Sequence, residues 1–146
     1  MTAQEMWSRY IAAHPQATSA HYEAWAYGDA PDALASLTLA GTKTATASLH
    51  ALYTIDGEPL PQAGEYSVVL NSQDDAVCII RTTAVHVTPF CDVDERQAYL
   101  EGEGDRSLTY WRKVHEDFFR HELVQYALPF TEDIAVVCEE FEVVYP

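Results

Sequence analysis

The sequence predicts an α+β domain whose sheet is largely antiparallel and inclined to curl into a small barrel. Three observations carry that expectation. Two β-branched runs, "YSVVL" and "AVCIIRTTAVHV", flank the turn formers "NSQDD" and read as a hairpin. A third run, "IAVVCEEFEVVY", closes the chain as a strand. Helical patterns lie at the front and in one late block, so helices and strands do not alternate as βαβ units would.

The elements follow in order. "TAQE", Thr2 to Glu5, has the spacing of a capping box, and Met6, Tyr10 and Ile11 give the helix behind it an apolar stripe. "YEAWAYGDAPDALASLTLAG" holds a second helix: Asp29 and Pro31 mark its start, Leu34 and Leu37 share a face, and Gly41 stops it. "TATASLHALY" predicts a strand, and "DGEPLPQAGE" a loop rich in turn formers. A helical block runs from about Asp94 to Gln125. Within it Ser107 caps a helix whose Leu108, Trp111, Val114, Phe118 and Phe119 line one face.

A chain of 146 residues without repeats or linkers predicts one domain, 1–146, long enough to bury a real core. No apolar run approaches the ~20 residues that span a bilayer, and the N-terminus lacks a secretory pattern. No membrane partner is expected. Cys78, Cys91 and Cys138 are odd in number and form no CxxC pair. That predicts reduced thiols in a cytoplasm, each serving as a small core hydrophobe. His115 and His121 lie six apart on different helix faces, and Glu139, Glu140 and Glu142 read as a solvated strand face, so no metal or other cofactor is expected.

The net charge is −15, from 23 acidic against 8 basic residues. Such a field repels a polyanion, which excludes tight sequence-independent binding to duplex DNA. It leaves a small ligand, or a short single strand held by stacking.

Against that background, "LAGTKTATAS" stands out. One of only two lysines, Lys43, lies just past Gly41 among small and hydroxylic residues: Thr44, Thr46 and Ser48. Two readings are open, a helix-to-strand turn or the floor of a ligand pocket. On a regular strand, positions three apart point to opposite faces. Lys43 and Thr46 therefore converge only if Lys43 sits in the turn before the strand, or if a bulge intervenes. Trp25 and Tyr27 offer a stacking wall for a base. "EGEGDRSL" supplies Glu101, Glu103 and Arg106 at a helix entrance, where free N–H groups suit an anion. Arg81 is expected to be solvated, and Tyr53 is left open.

The motif Gly41-x-Lys43-Thr44-x-Thr46, opening a strand after a short helix, resembles the ASCH domain (named for homology to the activating signal cointegrator 1 protein). "WAYGD", "GEPLPQAGEYSVVL", "EGEGDRSLTYWRKVHEDFF" and "EEFEVVY" extend the resemblance over nearly the whole chain, toward the bacterial YhfF-like branch. It implies a small PUA-like β-barrel with surrounding helices, and RNA or nucleoside ligands. In one branch of small bacterial members, N4-acetylcytidine is hydrolysed with a Lys, a Thr and a Glu. Carried over, these fall on Lys43, Thr46 and Glu103, with Glu101 an alternative to Glu103. The other residues expected around the ligand are Trp25, Tyr27, Gly41, Thr44, Ser48 and Arg106. Two further readings follow from the family: an RNA or modified-nucleotide binding module without turnover, and a metal-assisted ribonuclease. The ribonuclease pattern departs here, because its tyrosine six residues before the lysine meets Leu37.

A hydroxyl near neutral pH needs a base beside it to act as a nucleophile. Lys43 serves if desolvation lowers its basicity, whereas a neighbouring carboxylate holds it charged. The partner that the resemblance implies, and that the charge allows, is a small nucleoside-like ligand or a short single-stranded RNA.

Overall fold

A computed structural model describes residues 1–146. The capping box forms: Glu5 N–H donates to Thr2 Oγ1 at 3.1 Å, and Thr2 N–H donates to Glu5 Oε2 at 2.8 Å. It opens α1 (Ala3–Ala13). A short strand β1 (Tyr22–Ala26) precedes α2 (Pro31–Leu39), which begins on Pro31 and ends before Gly41. Gly41 adopts φ +80°, a conformation that favours glycine at a helix stop. β2 (Ala45–Leu49) leads into α3 (His50–Asp56), and the hairpin β3 (Tyr66–Leu70) and β4 (Ala76–Pro89) follows. The late helical block divides into α4 (Glu95–Glu101) and α5 (Leu108–Val124), the latter capped by Ser107. β5 (Ala135–Tyr145) closes the chain.

The five strands form one sheet in the order β1-β3-β4-β5-β2. β1 runs parallel to β3, and the other three pairings are antiparallel. The long β4 is shared between β3 and β5, and its ladder with β5 shifts register twice, between Ile79 and Ile80 and between Thr82 and Ala84. Bulges increase local twist, and the sheet curls into a half-barrel whose edges are β1 and β2.

The middle of β3 and the first part of β4, to Ile80, are buried on both faces. Val68 and Ile79 pack beneath α1 with Met6, Trp7 and Tyr10, while their neighbours Val69, Cys78 and Ile80 pack with Tyr27, Ala35 and Phe141. Hence the near-continuous apolar runs in these strands. A third cluster joins α5 to β5 through Trp111, Phe119, Leu123, Val136 and Cys138. No helix is long and apolar enough to cross a membrane.

Three expectations need correction. The strand expected over "TATASLHALY" stops at Leu49; "HALYTID" turns helical and ends on Gly57 at φ +67°. β1 was hidden in a segment read only for its helix, since a parallel edge strand carries no hairpin signal. Cys78 and Cys138 are buried, but Cys91 is exposed, because the inward place in its turn goes to Phe90. Arg81 is exposed, as expected.

Candidate functional site

Lys43 does sit in the turn before the strand. The N–H groups of Thr42 and Lys43 both donate to Leu37 O at 3.0 Å, which folds the loop back onto the end of α2. Thr44 is tied by its backbone, its N–H donating to Leu100 O and its carbonyl accepting from Phe141 N–H. Held on both sides, Lys43 points inward and is 0 % exposed.

Its charge is met by the end of α4. Lys43 Nζ lies 3.1 Å from Glu103 Oε2 and 3.4 Å from Glu101 Oε1, with the Glu101 carbonyl at 3.5 Å. Three acceptors thus face the three donors of the ammonium. Both glutamates reach it because Gly102, between them, takes φ +72°. A Cβ on Gly102 would stand 2.5 Å from Thr42 O, so glycine also permits the close approach of the two loops.

Glu101 is the centre of the network. Its Oε2 accepts from Gln97 Nε2 at 3.1 Å and from the Trp111 indole N–H, and its Oε1 faces His115 Nε2 at 3.2 Å. Burial alone would raise its pKa, but Lys43 and His115 outweigh burial and hold the carboxyl down at about 2. His115 Nδ1 lies 2.8 Å from Trp111 O. Both ring nitrogens therefore face acceptors, an arrangement that only the imidazolium satisfies. Burial works against that charge, yet Glu101 outweighs it and raises the His115 pKa. The cluster balances two cations against two carboxylates, in line with the rule that buried charges are paired. Glu101, Glu103 and His115 bring ligand atoms within 4.8 Å of one another. Lys43 already occupies the place a cation would take between the carboxylates, so these residues suit an ion-pair cluster better than a metal centre.

This cluster floors a recess of about 70 Å³, whose walls include Tyr27, Gly28, Thr46, Val114 and Phe118. The Lys43 ammonium lies 5.3 Å from the Tyr27 ring centroid. Tyr27 donates to Thr38 Oγ1, which in turn donates to Leu34 O. The recess adjoins a cleft of about 500 Å³, the two having Tyr27, Gly28, Thr46, Ala47 and Phe118 in common as wall residues. The cleft occupies the seam between the two edge strands, with Glu23, Trp25 and Ala26 of β1 on one side and Thr46 to Leu49 of β2 on the other. Trp25, Tyr53 and Phe118 give it aromatic walls. Ser48 Oγ and Tyr53 OH lie 2.8 Å apart at its side. The Thr46 hydroxyl makes no hydrogen bond within the protein, while its backbone carbonyl accepts from the Gln97 side-chain amide at 3.3 Å.

Of the residues singled out from sequence, Lys43, Thr46, Tyr27, Glu101 and Glu103 meet at the recess, and Trp25 and Ser48 line the cleft. Gly41, Thr44 and Arg106 line neither. Arg106 instead bridges the carbonyls of Tyr99 and Thr42 and stacks on the Tyr99 ring at 3.6 Å, so it clamps the loops that carry Lys43 and Glu103. Sequence reasoning missed His115, Gln97 and Trp111. The usable signal was a histidine on the apolar stripe Trp111-His115-Phe119, where an imidazole needs a partner. It also missed Glu139, read as solvated. Glu139 is half-buried in the cleft, where burial and then Glu65 push its pKa up to about 7.

The ASCH domain family model matches residues 23–145, and the chain belongs to that family. An ASCH domain crystal structure from Lactobacillus crispatus JV V101 is 34% identical, with TM-score 0.93 over 98% of this chain and 94% of that one. A protein from Enterococcus faecalis V583 is also 34% identical, with TM-score 0.86 over 97% of this chain and 87% of that one. A hypothetical protein at 16% identity and TM-score 0.57, over 85% of this chain and 100% of that one, shares the fold alone. No curated protein matches the chain.

Proposed function

We propose that this ASCH domain binds a nucleobase-containing ligand in the cleft and hydrolyses an amide on it, of the N4-acetylcytidine type. One observation carries the reading: a buried Lys43 with Glu101 and Glu103 at the floor of a recess, beside a Thr46 hydroxyl that has no partner of its own. The small recess suits a short acyl group, and the wide aromatic cleft suits a base and its sugar.

In this reading the roles divide. Glu101 stays ionised and fixes Lys43, so it is a positioning residue. Glu103, whose side chain is 15 % exposed against 1 % for Glu101, is the carboxylate that takes the proton. Thr46 Oγ1 attacks the acyl carbon as its proton passes to Glu103; the neutralised Glu103 loosens its hold on Lys43, whose freed N–H donates to the developing oxyanion. Cleavage of the C–N bond returns the proton from Glu103 to the leaving exocyclic nitrogen. Water then hydrolyses the acyl-threonine ester with Glu103 again as base.

RNA binding and the ribonuclease reading find less support. None of the 21 residues lining the cleft is Lys, Arg or His, so nothing there neutralises phosphates. The test is cytidine release from N4-acetylcytidine, followed chromatographically. Wild type is expected to turn over, and Thr46→Ala, with unchanged melting, and Glu103→Gln, still folded at the assay temperature, to lose activity by about 100-fold or more. Absence of cytidine from wild type overturns the reaction; turnover unaffected in both variants overturns the roles.

A further inference from the structure

The cleft outside the recess has a charge character that the amide chemistry does not use. Among its lining residues are Glu23, Asp56, Glu58, Glu65, Glu122 and Glu139, with no cation to answer them. The recess behind is different, since its glutamates are paired with Lys43 and His115. Two surfaces of opposite logic therefore meet at Thr46: a neutralised floor and an unneutralised outer chamber. The chamber is also a concave space of about 500 Å³ with the aromatic side chains Trp25, Tyr53 and Phe118 in its wall. Aromatic faces and carboxylates together are the surroundings that attract a protonated amine.

We propose that this chamber is selective for organic cations, so that the natural substrate carries a protonated amine on the portion lying outside the recess. Specificity then resides in Glu139, Glu65 and Glu23, which line the chamber together, near enough for the last two to act on the charge of the first. Phosphorylated ligands are rejected by like charge, which costs several-fold to many-fold in affinity. The proposal rests on the amidohydrolase reading only in placing the amide in the recess.

Glu139 gives the selectivity a second signature. It projects from β5 opposite Thr46 of β2, accepts a hydrogen bond from Thr82 of β4 at 3.5 Å, and feels the charges of Glu65 and Glu23. Tyr53 of α3 also senses its charge. A bound ammonium group favours the carboxylate form, so binding near neutral pH releases a proton from Glu139.

The experiment is equilibrium calorimetry with two series that differ in charge on a constant core. The first is cytidine, 5′-amino-5′-deoxycytidine and cytidine 5′-monophosphate. The second, free of any nucleobase, is tyramine, 4-hydroxyphenethyl alcohol and 4-hydroxyphenylacetate. In at least one series the amine is expected to bind about tenfold or more tighter than the neutral member, and the anion not at all. That preference should shrink in high salt, fall in Glu139→Gln and Glu65→Gln, and be accompanied by proton release in buffers of different ionisation enthalpy. Tyramine binding with no nucleoside binding supports cation selectivity and removes the nucleoside reading. Amines that bind no tighter than the neutral members, or fail to bind at millimolar concentration in both series, overturn the proposal.

Discussion

Glu101→Gln removes one charge from the buried network and almost no volume, which makes it the sharpest probe of what holds Lys43. The Glu101 carboxyl falls from its ordinary 4.5 to about 2 in the folded protein, despite complete burial. At about 1.4 kcal/mol per pH unit, that fall corresponds to about 3 kcal/mol of stability. Because the folded pKa is depressed, the contribution is fully present above pH 4.5 and is lost as pH falls from 4.5 toward 2. Breaking one side of a buried pair independently costs about 3–5 kcal/mol, since Lys43 is left poorly compensated. Urea unfolding of wild type and variant at pH 7 should therefore separate them by about 3 kcal/mol, or about 6–12 °C in Tm for a domain of this size. At pH 3 the gap should contract to about 1 kcal/mol. A variant within about 0.5 kcal/mol of wild type at pH 7, as for an ordinary surface change, would refute the argument. So would a gap that stays constant with pH.

Three further outcomes follow from the same geometry. Gly102→Ala meets both a left-handed backbone and the Thr42 carbonyl, so thermal melting should show a loss of about 1–3 kcal/mol; an unchanged Tm would mean that the loops separate freely. His115 has a raised pKa, so its contribution is present below 6.5 and is lost as pH rises through the folded value. His115→Gln should flatten the alkaline side of the stability profile, and an identical slope would place the titration elsewhere. Of the three free thiols, Cys91 alone is exposed, while burial pushes Cys78 up to about 11 and Cys138 up to about 12. One thiol should react rapidly with a disulfide reagent in the native protein and the other two only on unfolding. A native count above one would contradict the packing of β4 and β5.

The sequence by itself determined whatever depends on neighbours in the chain. The capping box at Thr2 to Glu5, the Ser107 cap, Pro31 at the start of α2 and Gly41 at its end were legible because caps and turns involve residues a few positions apart. So was the β3–β4 hairpin, whose two arms adjoin one turn. The resemblance carried by "GTKTATAS" and "EGEGDRS" pointed to Lys43 and the two glutamates, which the fold brings into contact. Tertiary structure decided everything that depends on contacts across the fold. β1 exists through its parallel pairing with β3, some forty residues away, which no local pattern announces. His115 enters the site only because α5 packs its apolar stripe against α4, placing the imidazole on Glu101. The same packing turned Arg106 from an expected ligand contact into a clamp between Tyr99 and Thr42. Glu139 looked solvated in an acidic strand, yet the half-barrel's open seam between β1 and β2 encloses it. Which charges are buried, and beside what, is a property of long-range packing: the sequence named the charged residues, and the fold chose their partners.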